Sequence, residues 1–195
     1  MGGRSSGGAG MGFNRDTTYK GSIKNVESLV NMKDPAMYKA AKEAISNFSA
    51  KLGVPERNIK LADLEGNVMG IGGQNGVYLN KKYFNMSTKE HSRIMKSSYD
   101  SGHLTMTNKP LAHTINHELA HAAWQSSHTT PRAKAAGKEI ARLYNSFKKS
   151  GGRGYGKYAR ANVDEFWAEV STKAAHGKSD KFTQAARAIY KKYKL

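Results

Sequence analysis

His117-Glu118-Leu119-Ala120-His121 sets two imidazoles at i and i+4 with a carboxylate between them. On a helix this spacing puts both histidines on one face, one turn apart, where they can bind a single metal ion. Glu118 is turned by about 100° around the axis, so it faces a water beside the ion rather than the ion itself. That is the position of a general base next to a Lewis acid, and zinc is the ion that suits two imidazoles and a carboxylate. Ile115, Leu119, Ala122, Ala123 and Trp124 supply the apolar helical setting.

A catalytic zinc site needs a third protein ligand and an open position. The chain has no cysteine, so that ligand is an imidazole or a carboxylate. The run from Tyr158 to Glu169 offers Glu165 and Glu169 one turn apart at the start of a helix capped by Asn162. One carboxylate can ligate the ion while the other receives the outer N–H of a ligand histidine. Glu165 is the expected ligand, with Asp164, Glu169, His128 and His113 as competitors. A packing account also exists: Glu165 in a capping box with Asn162, and Glu169 paired with Lys173 in solvent.

These two segments, His117-Glu118-Leu119-Ala120-His121 and Tyr158-Ala159-Arg160-Ala161-Asn162-Val163-Asp164-Glu165-Phe166-Trp167-Ala168-Glu169, resemble the catalytic domain of anthrax lethal factor and related zincin-like peptidases, phage-encoded versions included. The resemblance covers roughly residues 77–176. It implies an α+β zincin-like fold and a zinc-dependent endopeptidase holding one zinc ion by His117, His121 and Glu165. Glu118 is then the base, Tyr158 the hydroxyl that steadies the oxyanion or leaving group, and Glu169 the outer carboxylate. Trp167 stands where the family usually carries Phe. Tyr155 is the neighbouring alternative to Tyr158. The family binds extended peptide along the exposed edge of the sheet before the histidine helix, which here implies Gly76, Val77, Tyr78, Leu79 and Asn80.

The elements that must hold these residues are legible as punctuated periodic segments. Asp34 and Pro35 open a helix carrying Met37, Ala41, Ala44, Ile45, Phe48 and Leu52 on one stripe, closed by Gly53. Short apolar runs at residues 59–61, 68–71 and 77–79, broken by glycine, predict a small antiparallel meander. Ser87 and Glu90 form a capping box for a helix ending near Tyr99, and residues 104–106 suit a short strand. Pro110 leads into the histidine helix, Thr130 and Pro131 start another, one more follows Asn162, and Ser179 or Asp180 starts the last. The domain reading is a Gly/Ser/Arg-rich flexible leader over residues 1–20 and a single domain over residues 21–195.

Thirty-two Lys and Arg against 15 Asp and Glu give a formal net charge of +17. This favours an acidic protein substrate and non-specific affinity for nucleic acid or other polyanions. No stretch has the length of a membrane span and no secretory signal opens the chain, so the expected location is cytoplasmic or virion-associated. The competing function is a non-catalytic, virion-associated or polyanion-binding structural protein that retains a zinc site.

Overall fold

The computed structural model describes residues 19–125 and 130–195. The leader expected over residues 1–20 therefore lies almost wholly outside the described residues, as does His128. Its last two residues are described, and the Tyr19 hydroxyl donates to the Ser22 carbonyl at 2.9 Å and accepts from the Glu65 N–H at 2.6 Å.

Helices dominate. Asp34 caps α1 (Pro35–Leu52), its carboxylate accepting from the Ala36 N–H, and Gly53 ends the helix in the left-handed conformation at φ 68°. The buried side of α1 is the stripe read from the sequence. After α2 (Lys81–Phe84), Ser87 and Glu90 close the reciprocal box on α3 (Thr88–Asp100). The histidines lie on α4 (Pro110–Gln125), followed by α5 (Pro131–Lys149), α6 (Val163–Ala175) and α7 (Lys181–Tyr193). Among the described residues no helix is long and apolar enough to cross a membrane.

The strands are β1 (Ile23–Ser28), β2 (Ile59–Leu64), β3 (Gly70–Gly73) and β4 (Gly76–Asn80), in the order β1-β2-β4-β3. The sheet is mixed: β1 and β3 run antiparallel to their neighbours, whereas β2 and β4 are parallel. The expected antiparallel meander is corrected on this point. β4 carries Val77 and Leu79, both buried, and gains most from a central place, whereas β3 has Ile71 as its one large apolar side chain and takes the edge. Buried Asn80 pins the crossover, donating from Nδ2 to the carbonyls of Leu64 at 3.1 Å and Val68 at 2.7 Å. β1, which the sequence did not announce, lies almost wholly exposed on the other edge.

Residues 104–106 form no strand. Their polar groups turn elsewhere: the Thr105 N–H to the Glu169 carboxylate at 2.7 Å, and the Thr105 hydroxyl to the Gly156 N–H at 3.1 Å.

The core lies where α4 packs against α1, α6 and β3. Both α4 and α6 run through it. α6 is buried on nearly every face from Glu165 to Ala175, so its side chains have little freedom to move.

Candidate metal centre

α4 presents His113, His117 and His121 on successive turns, and α6 brings Glu165 and Glu169 against them. The His117 Nε2 stands 2.9 Å from Glu165 Oε2 and 3.1 Å from His121 Nε2. The third side of the triangle, His121 Nε2 to Glu165 Oε2, measures 3.5 Å. Ligand atoms about 2.1 Å from a tetrahedral zinc ion stand roughly 3.4 Å apart, so the three atoms have the spacing of a coordination face. The donor types, two imidazoles and a carboxylate, fit zinc as well.

The electrostatics ask for a cation at this point. His117 Nδ1 lies 3.1 Å from Glu169 Oε1, an N–H donated to a carboxylate. The His117 Nε2 then turns a lone pair toward a second carboxylate and toward the His121 ring, and a proton or a metal ion relieves the repulsion. Burial opposes charge on His117, yet the hydrogen bonds to Glu165 and Glu169 outweigh it and hold its pKa well above 6.5. Burial likewise pushes both carboxyls up, but their histidine partners pull Glu165 and Glu169 far below the usual carboxylate range.

Glu169 is a hub. Its Oε1 accepts from His117 Nδ1 and from His113 Nε2 at 3.1 Å, and its Oε2 takes the Thr105 N–H. His113 Nδ1 continues the chain to the Tyr99 hydroxyl at 3.2 Å, and that hydroxyl reaches Thr107 Oγ1 at 3.2 Å. His113, Glu169 and His117 also form a close trio of donors, but they share Glu169 as a common acceptor of N–H groups. This arrangement orients the His117 ring so that its Nε2 faces Glu165 and His121, the trio that could hold an ion. Asp164 belongs to neither trio.

The capping account of Glu165 is half right. Its backbone N–H donates to Asn162 Oδ1 at 2.9 Å, while its carboxylate turns to the histidines. Lys173, the solvent partner considered for Glu169, instead bonds Asp180 Oδ2 at 2.8 Å and the Gly154 carbonyl at 3.0 Å.

Glu118 points away from its own helix toward β3. Burial raises its carboxyl pKa, partly offset by the adjacent His117 and His121, and the Gly72 N–H donates to it. The strand can come this close because of two glycines. A Cβ at Gly72 would lie 1.9 Å from the Glu118 carbonyl oxygen, and one at Gly70 would lie 2.8 Å from Glu118 Cγ.

Tyr158 stacks on His117, with ring centres 5.6 Å apart and planes at 18°. Its N–H donates to the His103 carbonyl at 2.9 Å, which anchors the loop beneath it. Burial, then the Glu165 and Glu118 carboxylates, raise its phenol pKa well above 10, so the hydroxyl keeps its proton. Tyr155 is placed differently: its hydroxyl bonds the Asp180 carboxylate at 3.0 Å and 3.1 Å, away from the histidines.

The residues expected along a substrate edge need correction. Gly76, Val77, Tyr78, Leu79 and Asn80 form β4, which has β2 on one side and β3 on the other, so it offers no free backbone. The edge strand beside Glu118 is β3. Sequence reasoning passed over Gly70 and Gly72 as a strand pressed against the helix, and over Thr105 as a donor to Glu169. Alternate glycines in a strand are a signal of close backbone approach, but Thr105 carried no signal at all.

Compared with protein-family models, curated proteins and solved structures, the chain matches none.

Proposed function

We propose that the chain is a zinc-dependent endopeptidase of zincin-like architecture. The observation that carries the reading is the triangle of His117 Nε2, His121 Nε2 and Glu165 Oε2, with the Glu118 carboxylate and the Tyr158 ring on its flanks. A zinc ion, when bound, polarises a carbonyl and makes water nucleophilic near neutral pH.

The protein groups divide the remaining work. Glu118 takes the proton of the attacking water, and its raised pKa brings a carboxylate closer to the pH at which a general base is efficient. Tyr158, kept protonated, donates to the oxyanion that develops on the scissile carbonyl. Glu169 holds the His117 ring by Nδ1. Among the described residues β3 has a single strand neighbour, so its other side can pair with an extended peptide. The Gly72 N–H that meets Glu118 brings that edge to the reacting centre. The basic surface favours acidic protein substrates.

The test combines metal analysis of the purified protein with digestion of a peptide library. One zinc per chain and cleavage abolished in Glu118→Gln is the expected result. Zinc bound without any cleavage by wild type would sink the peptidase reading and leave a structural metal site.

A further inference from the structure

The chain's positive charge is unevenly placed. Residues 130–195 hold sixteen Lys and Arg against five acids, whereas residues 19–125 hold fourteen against nine. Of those five acids, Glu165 and Glu169 are engaged with the histidines, Asp180 with Lys173 and Glu139 with Lys192. Much of the excess sits on α5, and it sits in order. Ala133, Ala136, Gly137, Ile140 and Phe147 are its buried side. Lys134, Lys138, Arg142 and Lys149 are all exposed and fall within about 60° of the line opposite Ile140, at roughly 100° per residue. They form one outward ridge about 22 Å long.

Like charges at i and i+4 destabilise a helix, and the ridge contains two such pairs, Lys134 with Lys138 and Lys138 with Arg142. No acid interrupts it. Glu139, the one acid of α5, lies on the flank and is bound to Lys192 and, at 2.8 Å, to the Tyr193 hydroxyl. The large hydrophobic side chains exposed among the described residues are Ile23, Val26, Val30 and Met106, and none is on α5. Protein partners are gripped by apolar or aromatic anchors, which this face lacks. A regular polyanion needs only spaced cations.

We propose that the outer ridge of α5, Lys134, Lys138, Arg142 and Lys149, docks the chain on the phosphate backbone of duplex nucleic acid, without regard to base sequence. The ridge lies on a helix that contributes no donor to the metal centre, so the docking is independent of the peptidase reading.

The experiment is fluorescence anisotropy of the full chain with a random-sequence DNA duplex of about 20 base pairs, titrated at several salt concentrations between about 50 and 200 mM. The variant Lys134→Gln/Lys138→Gln/Arg142→Gln/Lys149→Gln is compared with a matched control, Lys39→Gln/Lys42→Gln/Lys89→Gln/Arg93→Gln, four exposed cations on α1 and α3. Circular dichroism checks that each is folded. The ridge variant is expected to flatten the slope of log K against log salt by about 3 to 4, with the control near wild type. Equal losses in both variants would overturn the proposal in favour of diffuse charge. So would wild type that ignores the duplex at low salt, or that binds polyglutamate more tightly than DNA.

Discussion

The helix pair α4 and α6 and the flank made of β3 and the Tyr158 loop build one site by opposite means. On the helices, position is set by what the side chains are: histidines and glutamates one turn apart, each bonded to the next. On the flank, position is set by missing side chains. Gly72 and Gly70 let β3 touch Glu118, and Gly156 lets the tyrosine loop lie on His103 and Leu104, where a Cβ would come within 2.4 Å of the His103 carbonyl oxygen. On the proposed reading, the difference teaches that the groups that would hold an ion and those that would act on substrate can fail separately.

Glu118→Gln gives the sharpest separation. Turnover should fall by roughly 10³-fold while bound zinc stays at wild-type level, because a general base typically contributes about 10²- to 10⁴-fold. His117→Ala and Glu165→Ala should instead lose zinc, read by metal analysis. Full zinc occupancy in Glu165→Ala would remove it from the ligand set. Tyr158→Phe comes next, with kcat lower by about 10²-fold and both zinc content and Tm unchanged. Tyr155→Phe is its counterpart and should leave turnover intact while costing about 1 kcal/mol of stability through the lost bond to Asp180. The reverse pattern would mean that the wrong tyrosine has been assigned to the reaction.

Glu169→Gln tests the helix side, where zinc affinity in a competition titration should drop about 10- to 100-fold. An unchanged affinity would show that the His117 ring needs no partner on Nδ1. Gly72→Ala tests the flank, where thermal unfolding should show a loss of about 1–3 kcal/mol from overpacking, with turnover falling further than zinc binding. A neutral Gly72→Ala would contradict the close approach.

The smallest effect is in the pH dependence of stability. Glu165 and Glu169 have depressed pKa values, so their contribution is present above the ordinary 4.5 and fades as pH falls through the folded values. His117 has a raised pKa, so its contribution is full below 6.5 and fades as pH rises through the folded value. Metal-free protein should therefore lose Tm on the alkaline side, and zinc, which replaces the proton, should abolish that loss. An alkaline decline that persists with saturating zinc would place the ion elsewhere.

Much of the helical side was legible in the sequence. The i, i+4 spacing of His117 and His121 needs only a helix to become a site, and Asn162 caps the helix that carries Glu165 and Glu169. The caps at Asp34, Ser87 and Thr130 were equally plain, because each is a local interaction spanning three or four residues, and the last helix start was narrowed to Ser179 or Asp180, of which Asp180 is the cap. The sheet was harder. Whether β4 lies at the edge or the centre depends on pairings with residues distant in sequence, and short glycine-broken runs carry little of that information. The contact of Glu169 with the outer nitrogen of His117 is the one expected of that carboxylate, whereas its bonds from His113 and Thr105 were hidden for the same reason, since they join residues more than fifty positions away.

Each ring nitrogen of His117 meets a carboxylate from α6, Glu169 on one and Glu165 on the other, from successive turns. A shift of α6 by one residue would swing both carboxylates away together. In the time domain, backbone amides in the middle of α4 and α6 should exchange with deuterium only when the whole domain unfolds, and at a common rate. β1, exposed and paired on one side, should exchange orders of magnitude sooner.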